Sequence, residues 1–327
     1  MNKEYMTRSA YLIYNPSAGQ GNPDLELKLI TTLLSPKFDL HVEKTTEEVS
    51  ADQLAHQALE KGFKTVIAAG GDGTISATAG VLINSQVAFG ILPCGTANAL
   101  ATTLGIPPSV EEACQTIIAG HTRIIDTALC NGKPMLLLAG VGFEADTIEG
   151  TDKQAKKNFG MLAYIFSGLK QLREFEQFET AIETDEKVIN ITATAVTVAN
   201  AAPATSILAQ GPSKVIFDDG LLDVTIVAPV NRASAVTASY HLLQTALQNE
   251  EAQRDDIGYL RTKWVKISTD PVQNVVVDGE VIGQTSIEIK CVPHSLIIFV
   301  PATRNDSPVE KLDNLPKSQI QAKTEER

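Results

Sequence analysis

A short glycine-rich segment, residues 70–74 with the sequence Gly-Gly-Asp-Gly-Thr, is the part of this chain best suited to chemistry. It directly follows residues 65–69, an apolar and β-branched run that predicts a buried strand. Glycines let such a loop turn sharply and bring backbone N–H groups close to a ligand. We expect Thr74 to cap a helix over residues 75–82, whose amino-terminal N–H groups and dipole favour anions. The segment therefore predicts a phosphate site.

Asp72 distinguishes this loop from a simple phosphate cradle. A carboxylate repels phosphate unless a cation or a hydroxyl lies between them, so Asp72 indicates Mg²⁺ or a sugar hydroxyl. The alternative is a tight turn between a strand and a helix in which Asp72 is only solvated. A run of five such residues directly after a strand favours the functional interpretation.

Further loops of small and turn-forming residues also follow apolar runs. They are residues 15–21 (Asn-Pro-Ser-Ala-Gly-Gln-Gly) and residues 93–96 (Pro-Cys-Gly-Thr), and Thr45 follows a predicted strand at 38–43. None is a Walker A loop, because the Gly-Lys-Ser/Thr ending is missing. In parallel α/β sheets, ligands bind beyond the carboxyl ends of the strands. Four loops that converge on one such edge predict a nucleotide site.

The elements that carry these loops alternate between strands and helices up to residue 120. The alternation predicts a parallel, doubly wound α/β sheet, with Ser109 and Glu112 forming a capping box for one of its helices. After residue 120, short apolar runs separated by turn residues predict a mainly antiparallel β-sandwich, with one of its strands at 215–217. Helical patterns at 155–175 and 233–249 interrupt this second region.

The chain length of 327 residues exceeds what a single core usually serves, so two domains are expected. We place a nucleotide-binding α/β domain at residues 1–122 and a β-rich domain at 123–302. Residues 303–327 have mixed charge and few large apolar side chains, and we interpret them as a disordered tail.

Composition excludes several classes of protein. A net charge of -12 argues against nucleic acid as a partner. The four cysteines show no Cys-x-x-Cys spacing, which favours a reducing cytosol and no zinc site. The amino terminus shows no signal peptide, and no apolar run approaches the ~18 residues of a membrane span. We expect a cytoplasmic protein whose contact with membranes is peripheral.

Residues 140–145 (Gly-Val-Gly-Phe-Glu-Ala) match the dinucleotide-binding fingerprint. The fingerprint needs an acidic residue about 20 positions later to bind the ribose. Residues 162–164 (Leu-Ala-Tyr) stand there instead, and no helical pattern starts directly after the glycines. We therefore reject a Rossmann site and expect a turn or a crossover between domains.

The glycine segment resembles the signature shared by two kinase families. One is the diacylglycerol kinase family, which includes sphingosine kinases and small bacterial lipid kinases, and the other is the NAD kinases. Residues 15–19 are similar to the Asn-Pro-x-(Ser/Ala)-Gly loop of the first family, and residues 93–99 to its Pro-x-Gly-Thr-x-Asn segment. Further matches follow in family order at Asp126, 140–145, 198–200, 219–223 (Asp-Gly-Leu-Leu-Asp) and 278–280 (Asp-Gly-Glu). The resemblance covers about residues 10–300 and favours the diacylglycerol kinase family.

This resemblance implies an NAD-kinase-like fold and an ATP- and Mg²⁺-dependent kinase. The γ-phosphoryl group would pass to a hydroxyl of a membrane lipid, either diacylglycerol-like or sphingoid. In the family the glycine loop and the Asn-Pro loop hold ATP. The nucleotide-binding residues so implied are Asn15, Pro16, Ser17, Ala18, Gly19, Thr45, Gly70, Gly71, Asp72, Gly73, Thr74, Ile75, Ser76 and Thr96.

The resemblance also implies catalytic and metal-binding roles. Asp72 would act close to the phosphates and the metal, and Glu280 resembles the family's proton acceptor. Asp219 resembles an aspartate that binds Mg²⁺ together with two backbone carbonyls, here those of Ile216 and Leu221. Ligation by oxygen alone suits a hard cation.

The residues considered without the family support plainer interpretations. Asp219-Gly220 is a turn between strands, and Asp278-Gly279 is a strong signal for a tight hairpin that would leave Glu280 exposed. Many family members carry Asp or Glu where this chain has Ala99, and the loop is closer to the sphingosine kinase version. A soluble small-molecule kinase such as an NAD kinase, and an inactive nucleotide-binding module, therefore remain alternatives.

Residues 153–178 combine five cations with five aromatic side chains. Such a segment could lie in a membrane interface with its cations on anionic head groups. Packing of its apolar stripe on the sandwich is an equal alternative. The expected partner is a lipid at the membrane surface, with no nucleic acid, and the sequence leaves a homodimer open.

Overall fold

The computed structural model describes residues 8–19, 21–142, 177–203, 206, 209, 215–248 and 254–302. The predicted helix at 155–175, the candidate membrane segment up to residue 176 and the tail lie outside these residues. No helix within the described ranges is both long enough and apolar enough to cross a membrane.

The first half of the chain is a parallel sheet with helices between its strands. Its strands are β1 (Arg8–Tyr14), β2 (Phe38–Lys44), β3 (Thr65–Gly70) and β4 (Ala88–Pro93). Its helices are α1 (Pro23–Leu34), α2 (Ala51–Glu60), α3 (Asp72–Leu82), α4 (Ala99–Thr103) and α5 (Val110–Ala119). The strand order β2-β1-β3-β4 reverses direction between β1 and β3, which is where doubly wound sheets bind ligands.

Helices pack in pairs around this sheet, α1 beside α5 and α2 beside α3. Because both faces are covered, β3 is buried along its whole length and carries no charged residue. Local signals set the helix ends. The Asn22 side chain accepts the N–H groups of Asp24 and Leu25 at the start of α1, and α5 ends at Gly120, whose φ is 77°.

The start of α3 differs from the prediction. The helix begins at Asp72, with Gly71 as its N-cap residue, so Thr74 lies in the first turn and is not the cap. The Thr74 side chain is buried and accepts a hydrogen bond from Asn15. Glycine tolerates the cap position well, so the helix can begin immediately after the strand.

The second half is a β-sandwich. Its strands are β5 (Thr122–Cys130), β6 (Lys133–Met135), β7 (Leu138–Gly142), β8 (Phe178–Thr184), β9 (Val188–Ala193), β10 (Ala195–Ala199), β11 (Leu222–Val227), β12 (Ile257–Thr262), β13 (Trp264–Asp270), β14 (Asn274–Val277), β15 (Glu280–Gln284) and β16 (Ile287–Phe299). One helix, α6 (Arg232–Gln248), packs on it. A six-stranded sheet, β12-β11-β10-β7-β14-β15, faces β5, β8, β13 and β16 across an apolar core.

The last strand joins the two halves. β16 runs parallel to β4 and antiparallel to β5 and β13, with an irregularity between Val292 and Leu296. One ten-stranded sheet therefore extends from the parallel region into the sandwich. The α/β region and the antiparallel sandwich confirm the predicted fold class, although the sheet does not stop at the expected domain boundary.

Several element predictions were wrong in detail. Residues 215–217 form no strand, and a turn follows them. The apolar run at 187–200 forms two strands, β9 and β10, separated at Thr194. Residues 140–142 lie inside β7, paired with β10 and β14, so they form neither a dinucleotide loop nor the expected turn. Residues 143–145 of that motif lie outside the described part of the chain.

Candidate functional site

The predicted loops meet at the carboxyl edge of the parallel strands. Asn15 Nδ2 donates to Thr74 Oγ1 at 2.8 Å, which ties the loop after β1 to the first turn of α3. The backbone N–H of Asn15 donates to Ala69 O at 2.9 Å, and that of Cys94 donates to Gly70 O at 2.9 Å. The loops that follow β1, β3 and β4 are therefore linked into one unit.

The fourth loop lies beside this unit. The Thr45 N–H donates to Tyr14 O at 2.9 Å, at the point where β2 ends next to β1. Thr45 is half-buried there. The convergence of four loops on one edge, which was expected from the strand order of such sheets, is thus observed.

Asp72 joins the glycine loop to the loop after β4. Its Oδ2 accepts the Asn98 N–H at 2.9 Å and its Oδ1 accepts the Ala99 N–H at 2.6 Å. These two N–H groups belong to the amino-terminal end of α4, where a negative charge is favourable. The first function of the Asp72 carboxylate in this structure is therefore to hold α4 against α3.

Asn98 closes the loop after β4 on itself. Its Oδ1 accepts the Gly95 N–H at 3.0 Å and its Nδ2 donates to Gly95 O at 3.0 Å. The backbone of Asn98 is left-handed, with φ 48°, which asparagine tolerates better than most residues. A Cβ at Gly95 would lie 2.6 Å from Gly71 Cα, so only glycine permits this approach of the two loops.

The nucleotide-binding residues implied by the sequence surround this unit. Exposed members are Ser17, Gly19, Gly73 and Thr96, half-buried members are Asn15, Pro16, Ala18, Thr45, Gly71, Asp72 and Ser76, and buried members are Gly70, Thr74 and Ile75. The first N–H groups of α3 have no partner within the helix and point toward the same edge. Exposed loop residues around free backbone N–H groups can bind an anion.

Tyr14 and the half-buried Glu26 form a hydrogen-bonded pair beside the Asn-Pro loop. The Tyr14 hydroxyl donates to Glu26 Oε1 at 3.1 Å and to Pro23 O at 2.9 Å. Burial, followed by the charge of Glu26, raises the pKa of the Cys94 thiol to about 12. This thiol is protonated at neutral pH and is therefore not a nucleophile.

Glu280 begins the second strand of the hairpin that the sequence indicates. β14 and β15 are joined by a two-residue turn in which Asp278 has φ 49° and Gly279 has φ 91°, and Val277 pairs with Glu280. The Glu280 side chain is exposed. The adjacent Asp278 carboxylate accepts three backbone N–H groups from residues 136–138.

Asp219 lies in the turn before β11, and its carboxylate already has a cationic neighbour. Oδ1 accepts the Leu221 N–H at 3.1 Å, and Oδ2 lies 3.4 Å from Arg261 Nη1. Arg261 Nε also donates to Asp223 Oδ1 at 2.7 Å, and the Asp223 side chain is only 2% exposed. Burial raises the pKa of Asp223, although Arg261 opposes the shift.

Ile216, Asp219 and Leu221 are the residues that the sequence implies as a Mg²⁺ site. Within the described residues, no group of three or more His, Cys, Asp or Glu side chains could hold a metal ion. Asp219 would be the one carboxylate ligand, and the Arg261 guanidinium, which also binds Asp223, lies 3.4 Å from it. The residues present fit a dedicated divalent cation poorly, because they offer few oxygen ligands and the nearby guanidinium would repel the ion.

Sequence reasoning did not foresee that two buried polar residues join distant segments of the second half. The Asp126 carboxylate accepts the Gly220 N–H at 2.6 Å and the His294 N–H at 2.7 Å. Asn200 Nδ2 donates to Asp126 O at 3.0 Å and to Leu136 O at 2.9 Å. Both belong to motifs already noticed, but their partners are far away in the sequence.

Comparison with known proteins covers nearly the whole described region. The family model of the diacylglycerol kinase catalytic domain matches residues 9–130. The model of the YegS C-terminal NAD kinase beta sandwich-like domain matches residues 138–300. The two matches follow the order of the parallel region and the sandwich.

Individual relatives agree with these matches. An uncharacterized protein from Synechocystis sp. is 44% identical over 306 residues, which is 90% of this chain and 71% of the relative. A "Probable lipid kinase YegS-like" from Enterobacter sp. is 30% identical over 298 residues, covering 90% of this chain and 96% of the relative. A crystal structure of a candidate diacylglycerol kinase from Bacillus anthracis, 27% identical, superposes with a TM-score of 0.76 over 90% of this chain and 97% of that one.

Proposed function

Since the chain belongs to the diacylglycerol kinase family, among its YegS-like lipid kinases, we propose that it phosphorylates a hydroxyl group of a membrane lipid with ATP and Mg²⁺. The observation that carries this proposal is the joining of three glycine-containing loops at the carboxyl edge of the parallel sheet. Asn15 with Thr74, and Asp72 with Asn98 and Ala99, hold them together. A preorganised rim of backbone N–H groups supports binding of a triphosphate.

The loop residues would act by positioning. The N–H groups at the start of α3 and the Asn-Pro loop bind phosphate oxygens, and Thr45 and Thr96 border the same edge. Mg²⁺ bound with the nucleotide would supply positive charge that neutralises the phosphoryl group during transfer. Asp72 would help to hold it with the acceptor positions that Asn98 and Ala99 leave unused.

Glu280 would act as the general base. In the proposed step the lipid hydroxyl oxygen forms a bond to the γ-phosphorus while the bond from that phosphorus to the bridging oxygen of ADP breaks. The hydroxyl proton passes to the Glu280 carboxylate. An exposed carboxylate on a rigid hairpin supports this role.

The acceptor would be met at the membrane surface. We propose peripheral contact through residues 153–176, which are rich in cations and aromatic side chains and lie outside the described residues. Phe178, which the sequence analysis included in this segment, packs instead in the core of the sandwich. Higher activity on anionic vesicles than on neutral vesicles with the same acceptor content would support this contact. Equal activity on the two would contradict it.

A phosphorylation assay with γ-labelled ATP tests the function. Diacylglycerol and sphingosine, dispersed in detergent, are compared with NAD⁺, each with Mg²⁺ and with EDTA. We expect label in a lipid product only when Mg²⁺ is present. Glu280→Gln should lower kcat by roughly 10²–10⁴, because it removes a general base, while KM for ATP stays the same.

Other outcomes identify the alternatives. Label in NAD⁺ alone would show a soluble small-molecule kinase. ATP binding without any transfer would show an inactive nucleotide-binding module. Full activity of Glu280→Gln would place the base elsewhere.

A further inference from the structure

The Asp278 side chain forms more contacts than a hairpin turn needs. Its Oδ2 accepts the Leu136 N–H at 2.7 Å, and its Oδ1 accepts the N–H groups of Leu137 and Leu138 at 2.9 and 3.1 Å. Its own N–H donates to Leu138 O at 3.0 Å. Four hydrogen bonds thus connect one turn residue to a segment about 140 positions earlier in the chain.

Another hairpin in the same protein shows what the turn itself requires. Asn131 and Gly132 join β5 to β6 with φ values of 49° and 78°, the same left-handed pair of conformations. The Asn131 side chain makes one bond to a neighbouring strand, accepting the Glu288 N–H at 2.8 Å. A neutral amide therefore suffices for the turn, and the carboxylate of Asp278 needs a different explanation.

Burial raises the pKa of Asp278, and the three N–H donors oppose that shift. A desolvated carboxylate destabilises a fold unless hydrogen bonds compensate, and here every compensating bond goes to residues 136–138. The Asp278 carboxylate, whose burial is unfavourable by itself, thus attaches the hairpin to this one segment.

The segment itself is held in place on several sides. Leu136 and Leu137 pack in the core of the parallel region, while Met135 and Ala139 on either side pack in the core of the sandwich. Asn200 adds a donor to Leu136 O at 2.9 Å and its backbone N–H donates to Leu137 O at 2.8 Å. Residues 136–138 are therefore the fixed crossover between the two sheets.

The strand that leads into the crossover contacts α3, the helix that follows the glycine loop. Pro134, two residues before the crossover, packs so closely on α3 that a Cβ at Gly80 would lie 3.1 Å from Pro134 Cγ. A short path of direct contacts thus leads from α3 through Pro134 and the crossover to Asp278. Glu280 is two residues further along.

We propose that Asp278 is a positioning residue that fixes the Glu280 carboxylate relative to the nucleotide loops. The inference rests on the proposed function, in which Glu280 is the base. Holding a reacting group in register matters because a displacement of about 1 Å can cost roughly 10²-fold in rate.

Asp278→Asn is the variant that tests this. Asparagine keeps the size and the tolerance for a left-handed backbone, but it replaces one accepting oxygen by an NH₂ group that would face backbone donors. We expect kcat on detergent-dispersed lipid to fall roughly 10–100-fold, with KM for ATP within about twofold of the wild-type value. Asn131→Ala, which removes the side-chain bond of the other hairpin, is the matched control and should lower kcat by less than about threefold.

Two further measurements separate positioning from plain destabilisation. In the Glu280→Gln background, Asp278→Asn should add less than about twofold to the loss in kcat, because the base it positions is already gone. Amide hydrogen exchange at Leu136, Leu137 and Leu138 should accelerate roughly tenfold in Asp278→Asn and stay unchanged in Asn131→Ala.

The outcomes distinguish failure of this inference from failure of the proposed function. A loss in kcat no larger than that of Asn131→Ala, or an equal loss in the Glu280→Gln background, would overturn the positioning role. Unchanged exchange at residues 136–138 would show that the contacts themselves are dispensable. An active Glu280→Gln would refute the base, and Asp278 would then have no positioning role toward it.

Discussion

At the scale of single residues, Asp72 illustrates how one carboxylate can serve two purposes. Its oxygens accept N–H groups from Asn98 and Ala99 at the start of α4. A carboxylate has about four acceptor positions, so two remain for a cation or water. Ala99 contributes its backbone N–H to this assembly of the loops.

The contact between Gly95 and Gly71 gives a prediction at the same scale. A Cβ at Gly95 would lie 2.6 Å from Gly71 Cα and 2.9 Å from Asn98 Oδ1, both of which hold the loops together. We expect Gly95→Ala to lower the free energy of unfolding by about 1–3 kcal/mol, as overpacking does, and to abolish the rise in Tm caused by ATP with Mg²⁺. Thermal denaturation with and without nucleotide measures both effects.

Gly73→Ala is the control for that substitution. An added Cβ at Gly73 meets nothing within 4 Å, and the residue lies in the first turn of α3. The Tm of Gly73→Ala without nucleotide should equal or exceed that of the wild type, since alanine favours the helical conformation. Equal stability of Gly95→Ala and Gly73→Ala would show that the loops can separate without cost.

At the scale of elements, the pairing of β11 with β12 places the Arg261 guanidinium beside the turn before β11. Asp223 lies opposite Arg261 in the register of these strands, and the same guanidinium lies 3.4 Å from Asp219. A cross-strand ion pair with a buried member therefore places a positive charge beside this turn. Under the proposed function, Mg²⁺ would therefore accompany the nucleotide and would not occupy this turn.

Arg261→Gln tests this arrangement. We expect the wild-type Tm to be insensitive to Mg²⁺ in the absence of nucleotide, while the variant loses up to about 3 kcal/mol at neutral pH because Asp223 is left buried and unpaired. Part of this loss should return with Mg²⁺, which can replace the missing charge beside Asp219. A wild-type Tm that rises with Mg²⁺, and no longer does so in Asp219→Asn, would instead establish the metal site.

The pH dependence of this variant has a definite sign. Burial raises the pKa of Asp223, and removal of the arginine removes the main opposing influence. A carboxyl whose folded-state pKa is raised contributes stability below its unfolded pKa of about 3.9, and this contribution is lost as pH rises through the folded value. The deficit of Arg261→Gln relative to wild type should therefore be small near that lower pH and reach its full size at neutral pH.

At the scale of the whole molecule, one sheet connects the parallel region to the sandwich. β16 is hydrogen-bonded to β4 on one side and to β5 and β13 along its length, so the carboxyl-terminal strand completes the nucleotide-binding half. Asp126, Asn200 and Asp278 add buried or partly buried hydrogen bonds between segments far apart in the chain. The two halves share too much structure to unfold separately.

We therefore predict a single cooperative unfolding transition. Trp264, the one tryptophan of the chain, lies in β13 in the second half, whereas α1–α5 in the first half contribute to the far-ultraviolet circular dichroism. Urea titrations followed by tryptophan fluorescence and by circular dichroism should have coincident midpoints. Separate midpoints would show that β16 does not couple the halves, and ATP with Mg²⁺ would then shift the circular dichroism transition alone.

Sequence patterns alone determined the local features of this protein. The apolar run 65–69 followed by glycines located β3 and its loop. The sequence also predicted the Asp-Gly turn before Glu280 and an α/β region followed by an antiparallel sandwich. Each depends on interactions within one element or one turn, where side-chain periodicity and backbone preferences act over a few residues.

Only the tertiary structure decided which distant groups meet. The start of α3 moved from the predicted Thr74 cap to Gly71, because Asn15 engages Thr74 from the other side of the site. Arg261 reaches Asp223 from 38 residues away, Asp278 reaches Leu136 from 142 residues away, and β16 inserts beside β4. A pattern read over a short window carries no information about such partners, since the packing of whole sheets sets which buried donor faces which acceptor.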